Sequence, residues 1–115
     1  MKEINFKSKE AIESYASAVT NGIHNVIRGL DEEYNNSASV SRTRYDILKS
    51  GKTYLSFLIR RAERQLKEEK ENIFNSKNLQ LARERINYLY RVLGETIYKI
   101  DFYSNCVAKE KTLTK

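Results

Sequence analysis

Apolar residues recur every three or four positions along almost the whole chain, and this spacing limits the fold more than any other feature. Ile12, Ala16, Val19, Ile23, Val26 and Leu30 follow one another at intervals of 4, 3, 4, 3 and 4. A helix turns once in about 3.6 residues, so it gathers such positions into one stripe, whereas a strand would scatter them over two faces. Ala11, Tyr15 and Ile27 widen the stripe to the breadth of a bundle helix. Ser8 is placed to cap the first turn, and Glu10 puts an anion where the helix dipole favours one. The polar run from Asn35 to Ser41 favours turns and caps. The pattern therefore predicts a first helix over 8–34.

The same reasoning predicts two more helices. Leu48, Leu55, Ile59, Ala62 and Leu66 form a second seam over 42–74, flanked by Tyr45, Phe57, Leu58 and Ile73. Gly51 falls inside it, and glycine within a helix costs up to about 1 kcal/mol relative to alanine. A continuous helix with a weak point at Gly51 is expected, with two shorter helices as the alternative. The third seam, over 76–108, is the most regular: Leu79, Ala82, Ile86, Leu89, Leu93, Ile97, Ile100 and Val107. Residues 109–115 form a polar tail expected to fray.

At 1.5 Å per residue, each helix would be roughly 40–50 Å long. Joined by short turns, they make one all-α domain over 1–115, an elongated up-down-up bundle of three long antiparallel amphipathic helices. Sheet folds need turn chemistry every few residues, and the chain has no proline and four glycines. Rods this long leave part of their apolar surface uncovered, so a partner helix, from another protein or a second copy, is expected to cover it.

Charged residues make up 31% of the chain against 40% hydrophobic, the balance of helices with one wet face. The net charge of +6 is uneven: residues 42–70 hold nine Lys/Arg and four Asp/Glu, while residues 1–41 hold four and six. Arg60, Arg61, Arg64 and Lys67 form a basic strip that could meet phosphate, and this carries the nucleic-acid alternative. The longest apolar runs are three residues, such as Phe57-Leu58-Ile59. A bilayer needs about 20, so no membrane span and no cleavable signal are expected. A cytoplasmic protein follows, with leaderless export still compatible.

Chemistry is sparse. The lone histidine, His24, and the lone cysteine, Cys106, are expected as a half-exposed helical residue and a small buried thiol. Asp31-Glu32-Glu33 reads as a solvated helix end. Gly51-Lys52-Thr53 lacks the upstream glycine of a phosphate loop, since Asp46 stands in its place. No catalytic residue, no metal site and no cofactor are expected.

The N-terminal third, with Ile4-Asn5-Phe6, then Ser8-Lys9-Glu10, then a helix carrying Ala11, Ala16 and Ala18, resembles the opening of the WXG-type small helical proteins of type VII secretion. The chain has no tryptophan, and Asn35-Asn36-Ser37 stands where that family has its Trp-x-Gly turn. It is thus most similar to the divergent accessory members that accompany toxins. The resemblance implies a non-enzymatic protein, without a cleaved signal, that pairs with another small helical protein or with the helical N-terminal region of a larger toxin. It implies Ile12, Val19, Ile23, Val26 and Leu30 as contact residues. The most regular stretch of the third seam, Leu89, Leu93, Ile97 and Ile100, is a second expected contact surface. Two alternatives come from other classes. One is a bacteriocin-type immunity protein, which Arg85-Ile86-Asn87-Tyr88-Leu89-Tyr90 resembles. The other is a phage or plasmid regulator that binds nucleic acid through residues 42–70.

Overall fold

The architecture follows the periodicity. The computed structural model describes residues 4–72 and 76–108. It contains α1 (Lys9–Ser37), α2 (Arg42–Glu69), a 3-10 turn (Lys70–Asn72) and α3 (Ser76–Tyr103), an all-α three-helix bundle. The bundle is roughly two and a half times as long as it is wide. Its radius of gyration is 17.5 Å, against about 13 Å for a compact chain of this length.

Capping explains where the helices start and stop. The Ser8 Oγ accepts a hydrogen bond from the Ala11 N–H at 3.1 Å, and the Ser41 Oγ accepts one from the Arg44 N–H at 3.3 Å. α1 runs three residues past the expected 34 and ends at Ala38, whose φ of 56° is left-handed. There the Ala38 N–H donates to the Tyr34 carbonyl at 2.7 Å, which satisfies one of the last free carbonyls of the helix. α2 passes through Gly51 without a break and stops at Glu69, short of the expected 74. Ile73, Phe74 and the tail 109–115 lie outside the described residues.

α3 also ends early, at Tyr103 instead of 108, for a tertiary reason. The chain leaves the helix and pairs with the α1–α2 loop through a parallel bridge between Val40 and Val107. The Val40 N–H donates to the Cys106 carbonyl and the Ala108 N–H to the Val40 carbonyl, each at 2.9 Å. Two inter-element bonds here replace those that a further helical turn would have made.

The core lies along the whole axis in two clusters. The larger joins all three helices, with Leu30, Leu48, Leu55, Ile59, Leu89 and Tyr103 at its centre. The smaller lies at the opposite end, where Ile4 and Phe6 pack against Ile12, Ala62, Ala82 and Ile86. The segment is held there by the Gln65 side chain, which accepts from the Ile4 N–H at 3.1 Å and donates to the Ile4 carbonyl at 2.6 Å. α3 packs more extensively on each of the other helices than those two do on each other.

The buried stripes are rotated from the expected seams. On α1 the buried residues are Ile12, Ala16, Thr20, Ile23, Ile27 and Leu30, so Thr20 and Ile27 replace Val19 and Val26. On α3, Val92, Thr96 and Tyr103 turn inward while Ile97 stays 47% exposed. A straight helix drifts about 20° per heptad from a 3.5-residue repeat, and a helix facing two neighbours centres its buried stripe between them. The two core threonines satisfy their hydroxyls within the helix: Thr20 donates to the Ala16 carbonyl at 3.0 Å and Thr96 to the Val92 carbonyl at 2.8 Å.

Candidate functional site

An apolar groove runs along the surface between α1 and α2. On the α1 side Ala18, Val19, Gly22, Ile23 and Val26 line it; on the α2 side, Ile47, Leu48, Gly51 and Tyr54. Its volume is about 380 Å³. None of the nine side chains is ionisable near neutral pH, and Tyr54 alone carries a polar group.

Small residues shape the floor and walls. A Cβ placed on Gly22 would meet no atom within 4 Å, so this position faces open space. A Cβ on Gly51 would lie 3.4 Å from the Ile23 side chain, an ordinary contact. Gly22 therefore leaves the groove open while Gly51 lets Ile23 pack close, and neither is required by the backbone, since no glycine has a positive φ. Large apolar side chains rise beside them: Ile47 is 51% exposed, Tyr54 53% and Phe57 46%. Three large apolar side chains on one helix edge, beside an apolar trough, form a surface whose burial would be worth roughly 25 cal/mol per Å².

The two ends of the groove are polar. At one end the Tyr15 hydroxyl donates to the Leu58 carbonyl at 3.4 Å. The Tyr15 hydroxyl titrates above its usual value, chiefly from burial and also from Tyr54, with Arg61 opposing. The Arg61 guanidinium lies over the Phe57 ring, 5.7 Å from its centroid. At the other end Arg44 pairs with Glu33, and the Arg44 side chain covers Gly29.

The expected contact residues divide into four groups. Val19, Ile23 and Val26 line the groove. Ile12, Leu30 and Leu89 are buried inside the chain, together with most of Ile23. These side chains pack against this chain's own helices, so as surface contacts they are corrected. Leu93 and Ile100 are partly buried beside the main core. Ile97 of α3 is exposed and does not line the groove. Of the basic strip, Arg60, Arg64 and Lys67 are exposed and Arg61 is half-buried. None of the four takes part in an ion pair among the described residues.

The acidic run departs from expectation. Asp31 accepts from the Tyr103 hydroxyl and from the Lys99 ammonium, the latter at 3.0 Å. Glu33 accepts from the Ser41 N–H at 2.8 Å as well as from Arg44. Both therefore act as ties between elements, because residues distant in sequence supply the donors. The main seams do not mark the groove residues Ala18, Gly22, Ile47, Gly51 and Tyr54. Their signal was a second stripe, Tyr15-Ala18-Gly22-Val26 facing Ile47-Gly51-Tyr54, which keeps helical spacing beside each main seam.

His24 lies 3.8 Å from Glu95 at the surface, and Cys106 is half-buried just past α3. Among the described residues no three His, Cys, Asp or Glu side chains are grouped to hold a metal, and no helix is long and apolar enough to cross a membrane. Comparison with known protein families, curated proteins and solved structures finds no match to this chain.

Proposed function

We propose that this chain is a non-enzymatic partner protein that takes one helix of a larger protein into the α1–α2 groove. The observation that carries the proposal is Gly22. It sits midway along a 29-residue helix, facing an apolar trough with nothing within 4 Å of its would-be Cβ. Helix-in-groove recognition uses surfaces of this kind, where apolar anchors at i, i+3, i+4 and i+7 fill a trough between two helices. The resemblance to the toxin-partner branch of the type VII secretion proteins adds a candidate for the larger protein, a toxin with a helical N-terminal region. It also adds a place for the complex, assembled in the cytoplasm before leaderless export.

The test pairs two variants of the tagged chain, co-expressed with the product of each gene beside its own. Gly22→Leu should lose the partner by a factor of at least about 100, since it fills the trough, while circular dichroism stays helical. Arg60→Ala with Arg64→Ala should change binding by less than about fivefold. A second class, nucleic-acid binding, is favoured by Arg60, Arg64 and Lys67, exposed cations of α2 in no ion pair among the described residues, and predicts the opposite order. There the arginine pair would abolish binding, affinity would fall steeply with salt, and Gly22→Leu would be neutral.

A further inference from the structure

We infer that the helix taken by the groove carries acidic residues along the flanks of its apolar stripe. This rests on the groove being a docking site and goes further by naming the chemistry of its occupant. From Ala18 to Val26 the α1 wall advances eight residues, about 12 Å, enough for roughly two turns of an occupant. Ala18, Gly22 and Gly51 allow it to lie near the short end of the 8–10 Å range of interaxial distances.

The charge around the groove is one-sided. The carboxylates near it are already engaged: Glu33 with Arg44, and Asp46 with Arg42. Glu13, farther along α1, pairs with Arg85 of α3. The α2 edge, in contrast, offers Arg61 at the mouth, with Arg64 three residues further on, neither of them in an ion pair among the described residues; Arg60 lies on the α3 flank, near Tyr90. Residues 42–70 carry nine Lys/Arg against four Asp/Glu, so the field beside the groove is positive. An acidic flank would pair with these arginines and steer the approach. A second copy docked about a two-fold axis would instead set one cationic α2 against another.

The experiment uses the full chain and a displayed library of 20-residue helices. Their apolar stripe is drawn from Leu, Ile, Val, Phe and Ala, and their flanks are split equally among Glu, Gln and Lys. Selected helices should be enriched in Glu over Lys by at least about threefold. A selected peptide carrying one tryptophan can be titrated directly, because the chain has none. Its affinity should fall about fivefold or more with Arg61→Glu, and Lys flanks should then regain what Glu flanks lose. All selected helices should be lost with Gly22→Leu. Equal enrichment of Lys and Glu, with binding still lost in Gly22→Leu, overturns the acidic flank and leaves the groove standing. No enrichment of any helix, or binding indifferent to Gly22→Leu, overturns the groove and the inference with it. A dimer in sedimentation that Gly22→Leu dissolves makes the occupant a second copy. Duplex DNA bound through Arg60 and Arg64 but not through the groove moves recognition to the strip, and either result overturns the inference.

Discussion

At the end of the bundle where α1 turns into α2, polar and aromatic side chains tie all three helices together; midway along α1 and α2 an apolar groove lies between them, over a floor where Ile23 packs beside Gly51. At the tied end Tyr34 meets Phe102 edge-on with ring centroids 5.2 Å apart, and lies 5.7 Å from Tyr103. Tyr103 in turn donates to Asp31, and Val40 bridges Val107. In the groove no hydrogen bond crosses between the lining side chains of α1 and α2. Closure at both ends, by this network and by Ile4 and Phe6, sets the helix separation that the groove then keeps. An apolar trough held open by its ends can be filled by another chain without rebuilding the core.

That contrast has measurable consequences. The largest should come from truncating the tied end's core. Leu30 is fully buried, and Leu30→Ala should cost about 3 kcal/mol in urea unfolding. Ile47→Ala, in the groove, should change stability by less than about 0.5 kcal/mol. Equal costs would mean that the groove wall supports the fold as much as the tied end does.

The next effect concerns Tyr103. Burial and its bond to Asp31 push the Tyr103 hydroxyl well above its ordinary value of 10.0. The unfolded chain therefore loses this proton first as pH rises, which favours unfolding. The stabilisation is fully present below pH 10 and declines as pH climbs above it. Tyr103→Phe should cost about 1–2 kcal/mol at pH 7, with half-exposed Asp31 still paired with Lys99. It should also flatten the loss of stability between pH 9 and 11, measured by chemical denaturation at each pH. A variant with the wild-type slope would show that the hydroxyl is not what holds this end.

The smallest effect sharpens the picture of the groove. Gly22→Ala should stabilise the chain by about 0.5–1 kcal/mol, because the helix gains from alanine and the added methyl meets nothing. If partner binding weakens at the same time, position 22 is small for the sake of the occupant. Destabilisation instead would mean that α1 and α2 close over this site in solution.

The helices themselves were legible from short-range pattern. Ser8 and Ser41 mark starts, seam residues such as Ile12, Leu48 and Leu89 mark buried faces, and three helices follow because an i to i+4 hydrogen bond needs only neighbours in sequence. Gly51 was visible as an irregularity, but its use as a groove wall was not. Whether Val26 or Ile27 faces inward depends on the angle at which α2 and α3 approach α1, and spacing along one helix does not record that angle. Likewise Asp31 reads as solvated until Lys99 and Tyr103 arrive, and Val107 reads as helical until Val40 offers it a bridge. The sequence by itself determined the helices and their amphipathic faces, through contacts a few residues apart. Only the tertiary structure decided which shoulder of each face is buried and where the groove opens, because those depend on contacts such as Ile4 with Gln65 and Asp31 with Tyr103, 61 and 72 residues apart.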